Sequence, residues 1–381
     1  MKIGLLGHGV VGSGVTKITD SCKVKKVRRL EVTRILVKDE SEMTDQRCTM
    51  DVEDILSDPE IEVVAECMGG VEPAHTFCAR ALEAGKHVVT SNKKMFAEYA
   101  RELLELAKEN SVSVRYEASC GGGIPWMSNL ERIGRLEQVN GFRGIFNGTT
   151  NYIISRMEET GAGFEESLAQ AQSLGYAERD PSDDIDGFDV RYKTTLSALK
   201  AFSIYVKPSE IPVYGIRGIR PEDFVYAKKN HLAIRLFGTG QLYSDCAELW
   251  VMPVMITDMD VFADVRSNFN ALESSSATLG RAVFIGQGAG SLPTAHAVVQ
   301  DLLDIYQGQD SLIPELRRIP VNNDVTPMRF YIRTEKPEFF AGISESVEGN
   351  VILTKEITVA KMDDMMKACG DESAFAAVVM K

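Results

Sequence analysis

The first fourteen residues constrain the fold more than any other stretch of the chain. Lys2-Ile-Gly-Leu-Leu6 is a short apolar run. Gly7-His-Gly9-Val-Val-Gly12-Ser-Gly14 follows at once, and residues 15–18 continue as a helix. Strand, glycine turn and helix in that order form the setting in which Gly-x-Gly-x-x-Gly cradles a dinucleotide. Gly7 permits the tight turn, and Gly9 lets the backbone approach a pyrophosphate. Gly12 lets the helix pack on the strand. The helix N-terminus attracts the anion.

The next hundred residues repeat the alternation. Strands are expected at residues 31–38, 61–67, 87–90 and 112–116, with helices at 52–56, 74–84 and 98–109 between them. Such a pattern predicts an α/β fold with a doubly wound, Rossmann-type parallel sheet, whose ligands sit at the carboxyl ends of strands. Gly7, Gly69, Ser91, Lys93 and Glu117 fall at or just beyond such ends. The second strand ends Lys38-Asp39. A carboxylate there would bind ribose hydroxyls and select NAD, whereas a lysine suits the 2′-phosphate of NADP; Lys38 comes first and tilts the expectation to NADP. Glu117-Ala-Ser-Cys120-Gly-Gly122-Gly-Ile124-Pro125 then leaves the sheet. Its irregular backbone reads either as an oxygen-lined site for a hard monovalent cation or as a hinge.

Residues 175–193 hold six acids, Glu178, Asp180, Asp183, Asp184, Asp186 and Asp189, and end in Lys193. Pro181 and Gly187 break regular structure, and from Phe188 the pattern turns helical. Asp189 and Lys193 are four apart and share a helix face. Carboxylates could hold the ammonium of a small zwitterion while the lysine moves a proton. The alternative is a solvated acidic loop with a surface ion pair. Residues 140–285 read as α+β, with a mostly antiparallel sheet. The loop Gly286-Gln-Gly288-Ala-Gly290-Ser-Leu-Pro293-Thr294 opens a helix at 295–306, which could return to the first domain.

The net charge of −13 argues against nucleic acid and anionic membrane as partners. Seven scattered cysteines without Cys-x-x-Cys fit reduced thiols in the cytoplasm. The five histidines show no ligand spacing, so a transition metal is not expected. The start is too soon broken by glycine to be a secretory signal, and no apolar run approaches the ~20 residues of a membrane span.

Together these motifs, with Val88-Val-Thr-Ser-Asn-Lys93 and Gly144-Ile-Phe-Asn-Gly-Thr-Thr-Asn-Tyr152, closely resemble the homoserine dehydrogenase family over residues 1–320. The resemblance implies reversible oxidation of L-homoserine to L-aspartate 4-semialdehyde with NADP or NAD. It assigns proton transfer to Lys193, with Lys93 as its partner between cofactor and substrate. Glu178 and Asp189 would hold the amino group, and Gly148, Thr149 and Gly175 would line the substrate site. The cofactor would meet Gly7, Gly9, Val10, Val11, Gly12, Lys38, Gly69, Ser91, Lys93 and Gly288. A sodium ion would be bound by Glu117 with the carbonyls of Cys120, Gly122 and Ile124. The domains expected are a nucleotide-binding domain at 1–138, with 286–320 returning to it, and a substrate-binding and dimerisation domain at 139–285. A short ACT-like tail at 327–381 completes them. The tail has one good helix where that fold needs two. Part of its sheet should therefore be uncovered and pair with a second subunit, in a homodimer or larger homo-oligomer. Threonine is not expected to inhibit. Two rival readings are an acylating semialdehyde dehydrogenase with Cys120 as nucleophile, and a non-catalytic dinucleotide sensor.

Overall fold

The computed structural model describes residues 1–309 and 315–380. The chain begins with β1 (Lys2–Leu6), α1 (Val10–Ser21), β2 (Glu31–Leu36), β3 (Cys48–Thr49), α2 (Glu53–Leu56), β4 (Ile61–Glu66), α3 (Ala74–Glu83), β5 (His87–Thr90), α4 (Lys93–Glu109), β6 (Val114–Arg115) and α5 (Trp126–Gly134). It continues through β7 (Val139–Ile145), α6 (Gly148–Thr160), α7 (Phe164–Ser173), α8 (Ser182–Ile185), α9 (Phe188–Phe202), α10 (Pro221–Lys229), β8 (Leu232–Leu242), β9 (Ala247–Thr257), β10 (Phe269–Ser276) and β11 (Gly280–Gln287). Then come α11 (Ser291–Tyr306), β12 (Arg329–Arg333), β13 (Ser344–Glu348), β14 (Val351–Thr354), α12 (Val359–Cys369) and β15 (Phe375–Met380). Two compact units result: Met1–Arg135 with Gln287–Leu316, and Leu136–Gly286 with Arg317–Lys381.

In the first unit six parallel strands run in the order β3-β2-β1-β4-β5-β6. The order reverses direction between β1 and β4, which puts the ligand crevice beyond Leu6 and Glu66. Strands buried on both faces need continuous apolar runs, and Ile3, Leu5, Val63, Val64 and Ala65 are all fully buried. Each large aliphatic side chain so buried contributes roughly 1.5–3 kcal/mol. Helix α11 packs on α1, where Gly14 leaves room for Ala295. Among the described residues no helix is long and apolar enough to cross a membrane.

The second unit is built on a nine-stranded mixed sheet, β11-β10-β7-β8-β9-β15-β12-β14-β13. Its long central pair, β8 and β9, is antiparallel over eleven residues each. Helix α9 lies against β7, β8 and β9. Gly238 on β8 makes this approach possible, since a Cβ there would collide with Thr194 Oγ1 on α9.

Several expectations need correction. Short strands and turns are expected from the sequence at residues 211–219, but only a bridge between Val213 and Val251 forms there. Helix α4 begins at Lys93 rather than Glu98, because Asn92 caps it by accepting from Met95 N at 3.1 Å. The tail is not a separate body: β15 pairs in parallel with β9, so its four strands continue the second sheet. Between β12 and β13 stands only a single 3₁₀ turn, Pro337–Phe340. The tail's apolar face is nevertheless covered within the chain. Phe330, Ile332, Phe340, Ile352, Val359, Met362 and Val378 share one buried cluster with Trp250, Met252 and Val254. On the opposite face α10 does the covering. Arg333 Nε donates to Asp223 Oδ1 at 2.8 Å, Tyr331 Oη donates to the same oxygen at 2.7 Å, and all three residues are buried.

Candidate active site

Two groups of the expected residues are each brought together, one in each unit. In the first unit, Gly7 has φ +90° and its N–H donates to Leu36 O at 3.0 Å. A Cβ at Gly7 would lie 2.9 Å from Cys67 O, and one at Gly12 would collide with Gly7 O. Nothing stands within 4 Å of the position a Gly9 Cβ would take. Helix α1 starts at Val10 with no side-chain cap and no acid in its first turn. Its first N–H groups are therefore left for an anion. Val10 is 70 % exposed. Gly69 is exposed, and Gly288 is buried. Lys38 is exposed, while Asp39 is turned aside: its Oδ1 accepts from Ser41 N at 2.9 Å and from Ser41 Oγ at 2.5 Å. Those bonds hold the Asp39 carboxyl below its usual range.

Lys93 is half-buried on the first turn of α4, and Ser91 N donates to Glu66 O at 3.1 Å. Glu66, which was not singled out by its sequence, is fully buried at the end of β4. It accepts from Met68 N at 2.7 Å, from Thr90 Oγ1 at 2.5 Å and, at a long 3.5 Å, from Asn92 Nδ2. Burial pushes its carboxyl up to about 7, against the pull of those hydrogen bonds.

The Glu117 carboxylate is committed elsewhere in the unit. Its oxygens accept from Met127 N at 3.0 Å and Ser128 N at 2.7 Å, at the start of α5. Burial raises the carboxyl nonetheless. Glu117 and Ile124 line a cavity of about 790 Å³ with Arg115, His296 and Asp301. A Cβ on Gly122 would stand 2.5 Å from Gly288 C, so that glycine is required by the approach of the 286–290 loop. Cys120 is fully buried, which denies an acyl-transfer nucleophile the accessible thiolate it needs. Among the described residues no three His, Cys, Asp or Glu side chains group as a metal site.

In the second unit, Lys193 and Asp189 lie one helical turn apart on α9 and are 7 % and 3 % exposed. Lys193 Nζ donates to Asp189 Oδ2 at 2.8 Å and to Phe146 O at 2.7 Å. A surface ion pair, the alternative open in the sequence, is thereby excluded. Asn147, invisible by spacing, is the clasp. Its Nδ2 donates to Asp189 Oδ2 at 2.8 Å and to Asp184 Oδ1 at 2.7 Å, while its Oδ1 caps α6 by accepting from Thr150 N at 2.8 Å. Burial first, then the neighbouring Asp189 charge, raises the Asp184 carboxyl. Asn270 Nδ2 donates to Phe146 O at 2.9 Å and so braces the carbonyl that holds Lys193. Gly148 begins α6 directly, and a Cβ there would sit 2.6 Å from Asn268 O. Thr149 Oγ1 donates to Tyr176 O at 2.6 Å, tying the 175–180 loop to α6. Gly175 has φ +75° in that loop. Glu178 is exposed and is not drawn into the Lys193 cluster.

A glycine-turned dinucleotide crevice in one unit and a buried lysine–carboxylate pair in the other define a nicotinamide-dinucleotide-dependent oxidoreductase. Comparison with known proteins agrees. Residues 7–117 match the model for the homoserine dehydrogenase NAD-binding domain, and residues 125–303 match that for homoserine dehydrogenase. Homoserine dehydrogenase of Bacillus subtilis is 37% identical over 316 residues, 81% of this chain and 73% of that protein. The Synechocystis enzyme is 38% identical over 316 residues, 80% of this chain and 73% of that protein. A solved homoserine dehydrogenase from Thiobacillus denitrificans superposes with a TM-score of 0.90 at 29% identity, covering 100% of this chain and 98% of that one. The chain belongs to the homoserine dehydrogenase family.

Proposed function

We propose that this member of the family works through Lys193. The reaction is the interconversion of L-homoserine and L-aspartate 4-semialdehyde, an NAD(P)-dependent oxidation of a CH–OH group in the aspartate-derived amino-acid pathway. The observation that carries the assignment is the double anchoring of Lys193 Nζ by Asp189 and the Phe146 carbonyl. An ammonium has three donors, and two are spent. The third is left to give a proton to the C4 oxygen during reduction, and the amine form takes it back during oxidation. The nicotinamide supplies or accepts the hydride when bound. Asp189 keeps the lysine oriented, Asn147 keeps Asp189 oriented, and Gly148, Thr149 and Gly175 shape the binding of the amino acid. Glu178, exposed on its loop, is available to the substrate ammonium.

Gly7, Gly9, Val10, Val11, Gly12, Gly69, Ser91, Lys93 and Gly288 are assigned to the dinucleotide. NADPH is favoured over NADH, because Lys38 is exposed where Asp39 is already spent on Ser41. The sodium ion would rest on Glu117, whose oxygens keep lone pairs beyond their two N–H bonds, with the carbonyl oxygens of Cys120, Gly122 and Ile124, and would brace that loop. Seven free thiols support a reducing, cytoplasmic setting.

The test is oxidation of NADPH and of NADH by the purified chain with aspartate semialdehyde. Turnover should be seen with both and be more efficient with NADPH. Lys38→Glu should weaken NADPH far more than NADH, by roughly tenfold or more, since a phosphate partner becomes a repelling charge. Equal weakening of both would remove Lys38 from the 2′-phosphate.

A further inference from the structure

Glu66 is costly where it stands. A fully buried carboxylate with no cation beside it among the described residues must be stabilised by hydrogen bonds, and an apolar or amide side chain would relieve that desolvation. What it gains in return is a set of donors drawn from three separate segments. Met68 N belongs to the turn after β4, Thr90 Oγ1 to the end of β5, and Asn92 Nδ2 to the cap of α4. The same three segments are also tied to one another. Asn92 N donates to Thr90 Oγ1 at 3.0 Å, Asn92 Nδ2 donates to Gly70 O at 2.6 Å, and Asn92 Oδ1 accepts from Met95 N at 3.1 Å. The proton pattern is determined by these contacts. Thr90 Oγ1 gives its proton to the ionised Glu66 and accepts the Asn92 N–H on one of its two lone pairs.

We propose that Glu66 is a positioning residue for the cofactor end of the reaction, locking the 68–70 turn to the N-cap of α4 and so placing Lys93 and the Gly69 backbone against the dinucleotide. The inference rests on the assignment of Lys93 and Gly69 to the cofactor made above. As the ionised carboxylate Glu66 accepts every one of these bonds, whereas a glutamine brings a donor of its own into the same pocket. A glutamine oxygen facing Met68 N–H would turn its NH₂ toward Thr90, whose own proton then loses its acceptor. Reversed, the NH₂ would meet Met68 N–H donor against donor. The first orientation orphans a buried hydroxyl proton and the second breaks the bond to the turn, while the bulk of the side chain is unchanged.

The experiment compares full-length wild type, Glu66→Gln and Thr90→Val. It uses NADPH fluorescence titration, steady-state kinetics with aspartate semialdehyde, and thermal melting without cofactor. Both variants should lose roughly 10–100-fold in kcat/KM for NADPH, the order expected when a reacting group is displaced by up to an ångström. The KM for aspartate semialdehyde should stay within about twofold, and the apo melting temperature of Glu66→Gln should be unchanged or higher. NADPH parameters within about twofold of wild type would overturn the proposal. A uniform loss in every parameter that follows a falling melting temperature would overturn it too, since that marks a purely structural role. Fluorescence reports NADPH binding whether or not turnover occurs. Weakened binding in the variants of a chain inactive on aspartate semialdehyde would therefore sink the assigned reaction and leave the positioning role standing.

Discussion

A side chain that hands over a proton must be held still and must be able to exist in both protonation states. Lys193 meets the first demand through Asp189 and the Phe146 carbonyl, each itself braced, by Asn147 and Asn270 respectively. The chain is complete except at Asn270 Oδ1, which finds no partner among the described residues, and an unpaired member of a buried polar chain is costly. Lys193→Ala should therefore cut kcat by roughly 10²–10⁴-fold, the usual contribution of one general acid–base group. NADPH affinity should barely change, because the glycine turn and Lys38 belong to the other unit. Near-normal turnover in this variant, with NADPH binding checked by fluorescence, would strip Lys193 of the role. Of this cluster, the sequence discloses the four-residue spacing of Asp189 and Lys193. Asn147 and Asn270 are far from them in sequence and carry no periodic signal, so only the fold shows that they converge.

At the level of elements, the position of Lys193 depends on how closely α9 approaches the central sheet. Gly238 on β8 leaves space for Thr194, the residue after Lys193, whose Oγ1 donates to Val190 O at 2.9 Å within the helix. Gly238→Ala should push α9 outward, destabilise the chain by about 1–3 kcal/mol as overpacked cores do, and lower kcat. Adding Thr194→Ala removes the clashing oxygen and should recover part of both losses. Recovery would be partial, since a new Cβ would also stand 3.0 Å from Val190 Cγ1 and 3.1 Å from Phe146 Cδ2. Melting curves and kinetics of the two variants decide; an unaffected Gly238→Ala would show that the approach is not tight. Helix α9 was legible because residues from Phe188 run on without a breaker. The start of α4 was not, because Ser91-Asn92-Lys93-Lys94 reads as a polar turn until Asn92 is seen accepting from Met95 N. Five strands of the parallel sheet were legible from their apolar runs, while β3, two residues long at the sheet edge, was too short to leave such a run.

At the scale of the whole molecule, the tail is buried within the second unit and the sheet keeps an open edge at β11. The expectation that the tail leaves apolar surface for a partner failed because it treated the tail alone. Helix α10, more than a hundred residues earlier, covers one face, and removing Arg333 from that contact would strand Asp223 as a buried unpaired carboxylate at a cost of about 3–5 kcal/mol. The other face closes on α12 and the β9 side chains. The tail is thus part of the second unit's core. On the opposite edge of the sheet, Phe269 on β10 and Ile285 on β11 are 42% and 52% exposed, and Leu279 at the hairpin turn is 53% exposed. An edge strand with a row of unpaired backbone groups beside such side chains favours pairing with another copy. We infer that the chain forms at least a dimer through this hairpin. Ile285→Asp should shift the chain toward monomer in light scattering without a large change in melting temperature, since the residue is half exposed and supports no core. If the wild type is already a monomer, or Ile285→Asp leaves the assembly intact, the interface lies elsewhere or does not exist.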